Sequence, residues 1–104
     1  MTTVGELADL VRSKNAGPFW MTLDIFCGSE DVYRRIADEA TINPARVSEV
    51  YRVSPDSVRI FRLPDLHVVK ISIPRPHPQG GARDRDMHSG QQHVPLAAIP
   101  VTID

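Results

Sequence analysis

The stretch Trp20-Met21-Thr22-Leu23-Asp24-Ile25-Phe26-Cys27 alternates strictly in character. Met21, Leu23, Ile25 and Cys27 fall on one side of an extended chain and Trp20, Thr22, Asp24 and Phe26 on the other, the period of two that marks a β-strand. Gly28-Ser29 ends the run. Ser29 suits a helix N-cap, and Glu30 and Asp31 behind it favour the positive end of the helix dipole. Val32, Ile36 and Ala40 then recur every fourth residue, with Tyr33 and Ala37 widening the stripe and Arg34, Arg35, Asp38 and Glu39 opposite. A strand followed by an amphipathic helix is the reading.

Working outward, Asn43 is placed as a cap and Pro44 at the first position of a second, shorter helix. This helix buries Val47, Val50 and Tyr51 and stops before Ser54-Pro55. Val58 to Leu63 and His67 to Ile73 are β-rich runs joined by the turn-forming pair Pro64-Asp65, so a hairpin is expected. In its second arm Val69, Ile71 and Ile73 share one face, opposite Val68, Lys70 and Ser72. On the N-terminal side, Gly5 to Arg12 is read as a strand, because Gly17 and Pro18 follow too soon for a long helix; helix over Glu6–Val11 is the alternative. The tail from Val94 to Ile103 is apolar again and is expected to supply a last edge strand, interrupted by Pro95 and Pro100.

These elements predict an α+β fold, a ferredoxin-like antiparallel sheet with two helices on one face. If the helices cover the Met21 side, Trp20 and Phe26 lie on the side left open, a candidate contact surface. A chain of 104 residues is expected to form a single domain over 1–104, with a long polar loop at about 74–93. That loop carries three prolines, Arg83-Asp84-Arg85-Asp86 and almost nothing apolar.

Composition excludes several classes. Twelve basic residues against thirteen acidic ones, a formal charge of −1, give no reason to expect nucleic acid or an anionic membrane as partner. The single cysteine, Cys27, permits no internal disulfide and no cysteine-rich zinc site. No apolar run approaches the roughly 20 residues of a membrane helix. Glu6 and Asp9 interrupt the start of the chain where a secretory signal would be basic and then apolar. A cytoplasmic location is therefore expected.

The chemistry is sought in two places. Arg12-Ser13-Lys14-Asn15-Ala16-Gly17-Pro18, read as a turn between strands, gathers cations, a hydroxyl and an amide ahead of a glycine, which suits a carboxylate or phosphate oxygen. It is not a Walker loop, since the glycine spacing is wrong. The same residues also suit an ordinary solvated turn. The second place is the polar loop. Asp84, Asp86, His88 and His93 are metal-ligand types, but their spacing matches no defined site and no metal is assigned. His88 and His93 titrate near neutral pH, yet no hydroxyl or thiol nucleophile is paired with them. Gln91 and Gln92 offer donors and acceptors, and Arg75 is held between two prolines.

Arg12-Ser13-Lys14-Asn15-Ala16-Gly17-Pro18-Phe19, Thr22-Leu23-Asp24-Ile25, Ile73-Pro74-Arg75-Pro76 and Gly90-Gln91-Gln92-His93-x-Pro-Leu together resemble a family of small bacterial proteins catalogued as a domain of unknown function. The resemblance runs from about Leu7 to Ile99. Members of that family are typically encoded beside a large protein of the AtuA-like (acyclic terpene utilisation) family. A weaker resemblance is to the small C-terminal ferredoxin-fold domain of many AtuA-like proteins, which has an Arg-Ser-Gly-Asp-Lys-Gly turn and a later Asp-x-Gln-Gly-Lys segment. Here Arg12-Ser13 and Gly17 stand in the turn, and Asp86 with Gln91 or Gln92 in the later segment. Lys14-Asn15-Ala16 replaces Gly-Asp-Lys, and the lysine after the glutamine is missing.

These resemblances imply a small accessory subunit of a two-component catabolic enzyme beside an AtuA-like large subunit. The implied substrate is a small anionic organic acid or thioester, and the reactions in view are those of a lyase or an isomerase. Arg12, Ser13, Lys14, Asn15, Gly17 and Arg75, with Gln91 and Gln92, are then the expected substrate-binding residues. His93 and Asp86 are the expected proton handlers. The rival expectation is a non-catalytic structural or regulatory interaction module, in which Trp20 and Phe26 carry the role. The sequence names no cofactor and leaves the oligomeric state open.

Overall fold

The computed structural model describes residues 2–17, 19–74 and 94–101. In chain order the elements are α1 (Val4–Leu7), β1 (Leu10–Asn15), β2 (Trp20–Phe26), α2 (Glu30–Ala37), α3 (Pro44–Tyr51), β3 (Arg59–Leu63), β4 (Val68–Pro74) and α4 (Val94–Ala97). The four strands form one antiparallel sheet in the order β1-β2-β4-β3. β2 and β4 are central. The crossover from β2 through α2 and α3 returns as β3 in the same sense, with β4 between them, a split βαβ arrangement. This is an α+β fold compatible with the ferredoxin-like expectation; the strand beside β2 enters from the N-terminal side of the chain.

The expected strand and helix chemistry accounts for most boundaries. The Ser29 hydroxyl accepts from Val32 N–H at 3.2 Å, and Asn43 Oδ1 accepts from Arg46 N–H at 2.8 Å, each satisfying a free donor of the first helical turn. β3 and β4 form the expected hairpin through a short 3₁₀ turn over Pro64–Leu66, with His67 in the left-handed region.

Five expectations are corrected. The N-terminal stretch begins with a one-turn helix and not a strand, because Thr3 and Glu6 make a capping box: Glu6 N–H donates to the Thr3 hydroxyl, and Thr3 N–H to the Glu6 carboxylate at 3.1 Å. The strand starts only at Leu10 and continues through Asn15, so residues 12–15 are extended and not turned. α2 ends at Ala37: Asp38 leaves the helical region and accepts from Ala40 N–H at 2.8 Å, and Arg62 donates to the Ala37 and Ile42 carbonyls. Ala40 is thereby exposed while Ile42 is buried, and on α3 Val50 is exposed while Ser48 is buried. Lastly, the C-terminal segment adds a helical turn over Val94–Ala97, and its described residues form no edge strand. Val4 N–H donates to the Ile99 carbonyl, Val101 N–H donates to the Thr2 carbonyl, and Thr3 bridges Pro100. A Cβ on Gly5 would meet Ala97 Cβ at 2.9 Å, so α1 and α4 pack this closely only with glycine there.

The core lies between the sheet and the helices. Met21, Leu23 and Ile25 of β2 and Val69, Ile71 and Ile73 of β4 meet Val4, Ile36, Ile42, Val47 and Leu96 there, all but fully buried. Leu23→Ala should therefore cost about 2–5 kcal/mol in chemical denaturation, whereas Val50→Ala should stay within about 0.5 kcal/mol. Equal effects would contradict the assignment of the two side chains to core and surface.

Candidate functional site on the helix-free sheet face

A strand sends successive side chains to opposite faces, and this divides the basic stretch. Arg12 and Lys14 project from the face away from the helices. Ser13 and Asn15 lie toward the helix side, half-buried. Gly17 sits in the connection to β2 with φ +91°, a conformation natural to glycine. The turn expected over Arg12 to Asn15 is thus a strand, which sorts the expected binding residues onto two faces. Arg75, Asp86, Gln91, Gln92 and His93 lie outside the described residues, as do Asp84 and His88.

Strand register lays out the helix-free face as parallel rows across the sheet. One row is Lys14–Thr22–Ser72–Arg59 and the next is Arg12–Asp24–Lys70–Phe61. Leu10–Phe26–Val68–Leu63 follows on one side, and Trp20 stands against Pro74 on the other. Two polar rows are framed by apolar ones, and Leu10, Trp20 and Phe61 are exposed. Lys14 and Lys70 are the only lysines of the chain. With Arg12 and Arg59 they put four cations beside one carboxylate among the described residues of this face, on a chain whose formal charge is −1. The face is therefore a local positive patch.

Asp24 is the centre of it. Its residue is only 2 % exposed, an unusual burial for a carboxylate on a sheet face turned from the core. Oδ2 accepts from Arg12 Nε at 3.4 Å, and the Arg12 guanidinium lies 4.9 Å from the centroid of the Phe26 ring, within cation–π range. Oδ1 of Asp24 and Oγ1 of Thr22 are buried without a hydrogen-bond partner. Among the described residues Lys14 and Lys70 make no ion pair. Asp24, Lys70 and Ser72 were not singled out as site residues from the sequence. The available signal was an aspartate inside an alternating strand, opposite a lysine one strand away.

Other candidates offer less. Burial pushes the Cys27 thiol up to about 11, so at neutral pH it is protonated and unsuited to nucleophilic attack. A shallow hollow of about 260 Å³ lined by Arg46, Glu49, Val50, Ile99 and Pro100 lies in the helical layer, apart from the cation rows. Among the described residues no group of three or more metal-ligand side chains converges, and no helix is long and apolar enough to cross a membrane.

The Arg12–Asp24 contact has a measurable consequence. Arg12→Ala should destabilise the fold by about 1–3 kcal/mol, because it leaves a buried carboxylate with no partner at all. Adding Asp24→Asn should recover part of that loss. Arg34→Ala, which breaks only the exposed pair with Glu30, should cost no more than about 0.5 kcal/mol. Identical denaturation midpoints for Arg12→Ala and Arg34→Ala would show that Asp24 does not depend on Arg12.

Comparison with known proteins gives one match. Neither the curated proteins nor the solved structures contain a match to this chain. Residues 4–100 match the family described as Domain of unknown function (DUF4387). The match covers every described strand and helix and both cation rows, and the chain is a member of that family.

Proposed function

We propose that this protein is the small accessory subunit of a two-component catabolic enzyme with an AtuA-like large subunit. Its helix-free sheet face contributes the anion-binding half of a shared site for a small organic acid or thioester. The observation that carries the reading is the pair of cation-rich rows framed by exposed aromatic and aliphatic side chains. Such a face combines charge for a substrate with apolar area for a partner. It does not enclose a ligand by itself, and ligand sites often form where two domains meet. The AtuA-like identity of the partner rests on the sequence resemblance. A lyase or isomerase reaction fits an anionic substrate of this kind.

In this reading Arg12, Lys14 and Lys70 bind the anionic group, and Trp20 and Phe61 bear on the large subunit. Arg75, Gln91, Gln92, His93 and Asp86 remain proposed contributors from the polar loop, with His93 or Asp86 handling a proton. Ser13, Asn15 and Gly17 shape the β1–β2 hairpin that presents Lys14. Arg12 has a double duty, since it also holds Asp24.

Exposed or half-exposed lysines can be removed without opening the core, which separates binding from folding. In the co-expressed pair, Lys14→Ala with Lys70→Ala should leave assembly intact. It should reduce consumption of acids or thioesters, drawn from a panel of short-chain substrates, by tenfold or more, as expected for two lost charge-assisted contacts. Trp20→Ala with Phe61→Ala should instead weaken assembly, read by co-purification and sedimentation. Full turnover in the lysine variant would discard the anion site and favour a non-catalytic interaction module.

A further inference from the structure

Asp24 narrows the class of ligand. Its Oδ1, an acceptor, and the neighbouring Thr22 hydroxyl, which can donate or accept, are buried on the same face, two residues apart, with no partner. A carboxylate oxygen withdrawn from water and left unpaired is destabilising, and such atoms ask for a donor. Lys14 stands across the strand pair from Thr22, and Lys70 across from Asp24. A ligand reaching the two orphan oxygens therefore meets cations on both sides.

We propose that this strip recognises a short-chain hydroxy-carboxylate. The ligand hydroxyl donates to Asp24 Oδ1 and accepts from the Thr22 hydroxyl, while its carboxylate lies toward Lys14 and Lys70. This rests on the shared-site reading above and names the chemical class of its substrate. The other donor a carboxylate would welcome is an ammonium group, but the four cations against one carboxylate among the described residues of this face oppose a further positive charge. A hydroxyl donates without adding charge. Arg12 holds the other carboxylate oxygen, Oδ2. Its 3.4 Å contact is longer than the roughly 2.7–2.9 Å of a firm charge-assisted bond, and its side chain is half exposed. Turned outward, the guanidinium releases Oδ2 and becomes a further partner for the ligand carboxylate.

The test is a set of titrations of the isotopically labelled full-length chain, followed through its backbone amide resonances. The probes are 3-hydroxybutyrate, 3-aminobutyrate and butyrate at millimolar concentrations. The proposal expects 3-hydroxybutyrate to shift the amides of Lys14, Thr22, Asp24 and Lys70 at about a tenth of the concentration butyrate needs, because a site built for a hydroxyl discriminates against its loss. In Asp24→Asn that preference should disappear. If butyrate and 3-hydroxybutyrate act equally on these residues, the hydroxyl assignment fails while the anion site stands. If 3-aminobutyrate binds tightest, the charge argument fails and the class is wrong. If none of the three perturbs these residues, the anion site itself is overturned.

Discussion

The two sides of β2 meet different surroundings, and the rest of the structure follows from keeping them apart. Met21, Leu23 and Ile25 are buried against the helices, each worth about 1.5–3 kcal/mol when removed from water. Thr22 and Asp24 sit between them in sequence and face the other way. A register slip of one residue would exchange the two sets and bury a carboxylate among the helices. The apolar set thus fixes the register, and the register fixes where the polar set stands. β4 repeats the pattern with Val69, Ile71 and Ile73 inward and Lys70 and Ser72 outward. The cation rows are a consequence of core packing and not of a dedicated loop.

That division explains what could be read without coordinates. Alternation in β2 and β4, the caps at Ser29 and Asn43 and the β3–β4 hairpin are local patterns, and they were legible. The one-turn helix at Val4–Leu7 was legible in principle, since Thr3 and Glu6 have capping-box spacing, but four helical residues are easily outvoted by the apolar β-compatible residues behind them. The C-terminal segment was not legible. Its partners are Thr2 to Val4 and Tyr51, whose hydroxyl accepts from Leu96 N–H at 3.1 Å, and nothing local announces such distant contacts.

The site shows the same limit. Arg12 and Lys14 were singled out as cations, but as members of a turn, where neighbours in sequence share a ligand. In a strand they share a face with residues two positions away and with residues across the ladder, which brings in Asp24, Lys70 and Ser72 and turns Ser13 and Asn15 aside. An aspartate on an alternating polar side reads as solvated. Its burial, and the orphan oxygen that makes it informative, depend on tertiary structure.

The proposed role makes the helix-free face the functional surface, to be covered when the proposed large subunit binds. Both lysines of the chain lie on it, so amine-reactive footprinting with quantitative mass spectrometry reads it directly. Addition of the AtuA-like large subunit should slow modification of Lys14 and Lys70 together, relative to the chain alone. Unaltered labelling of both lysines in a verified complex would contradict the claim.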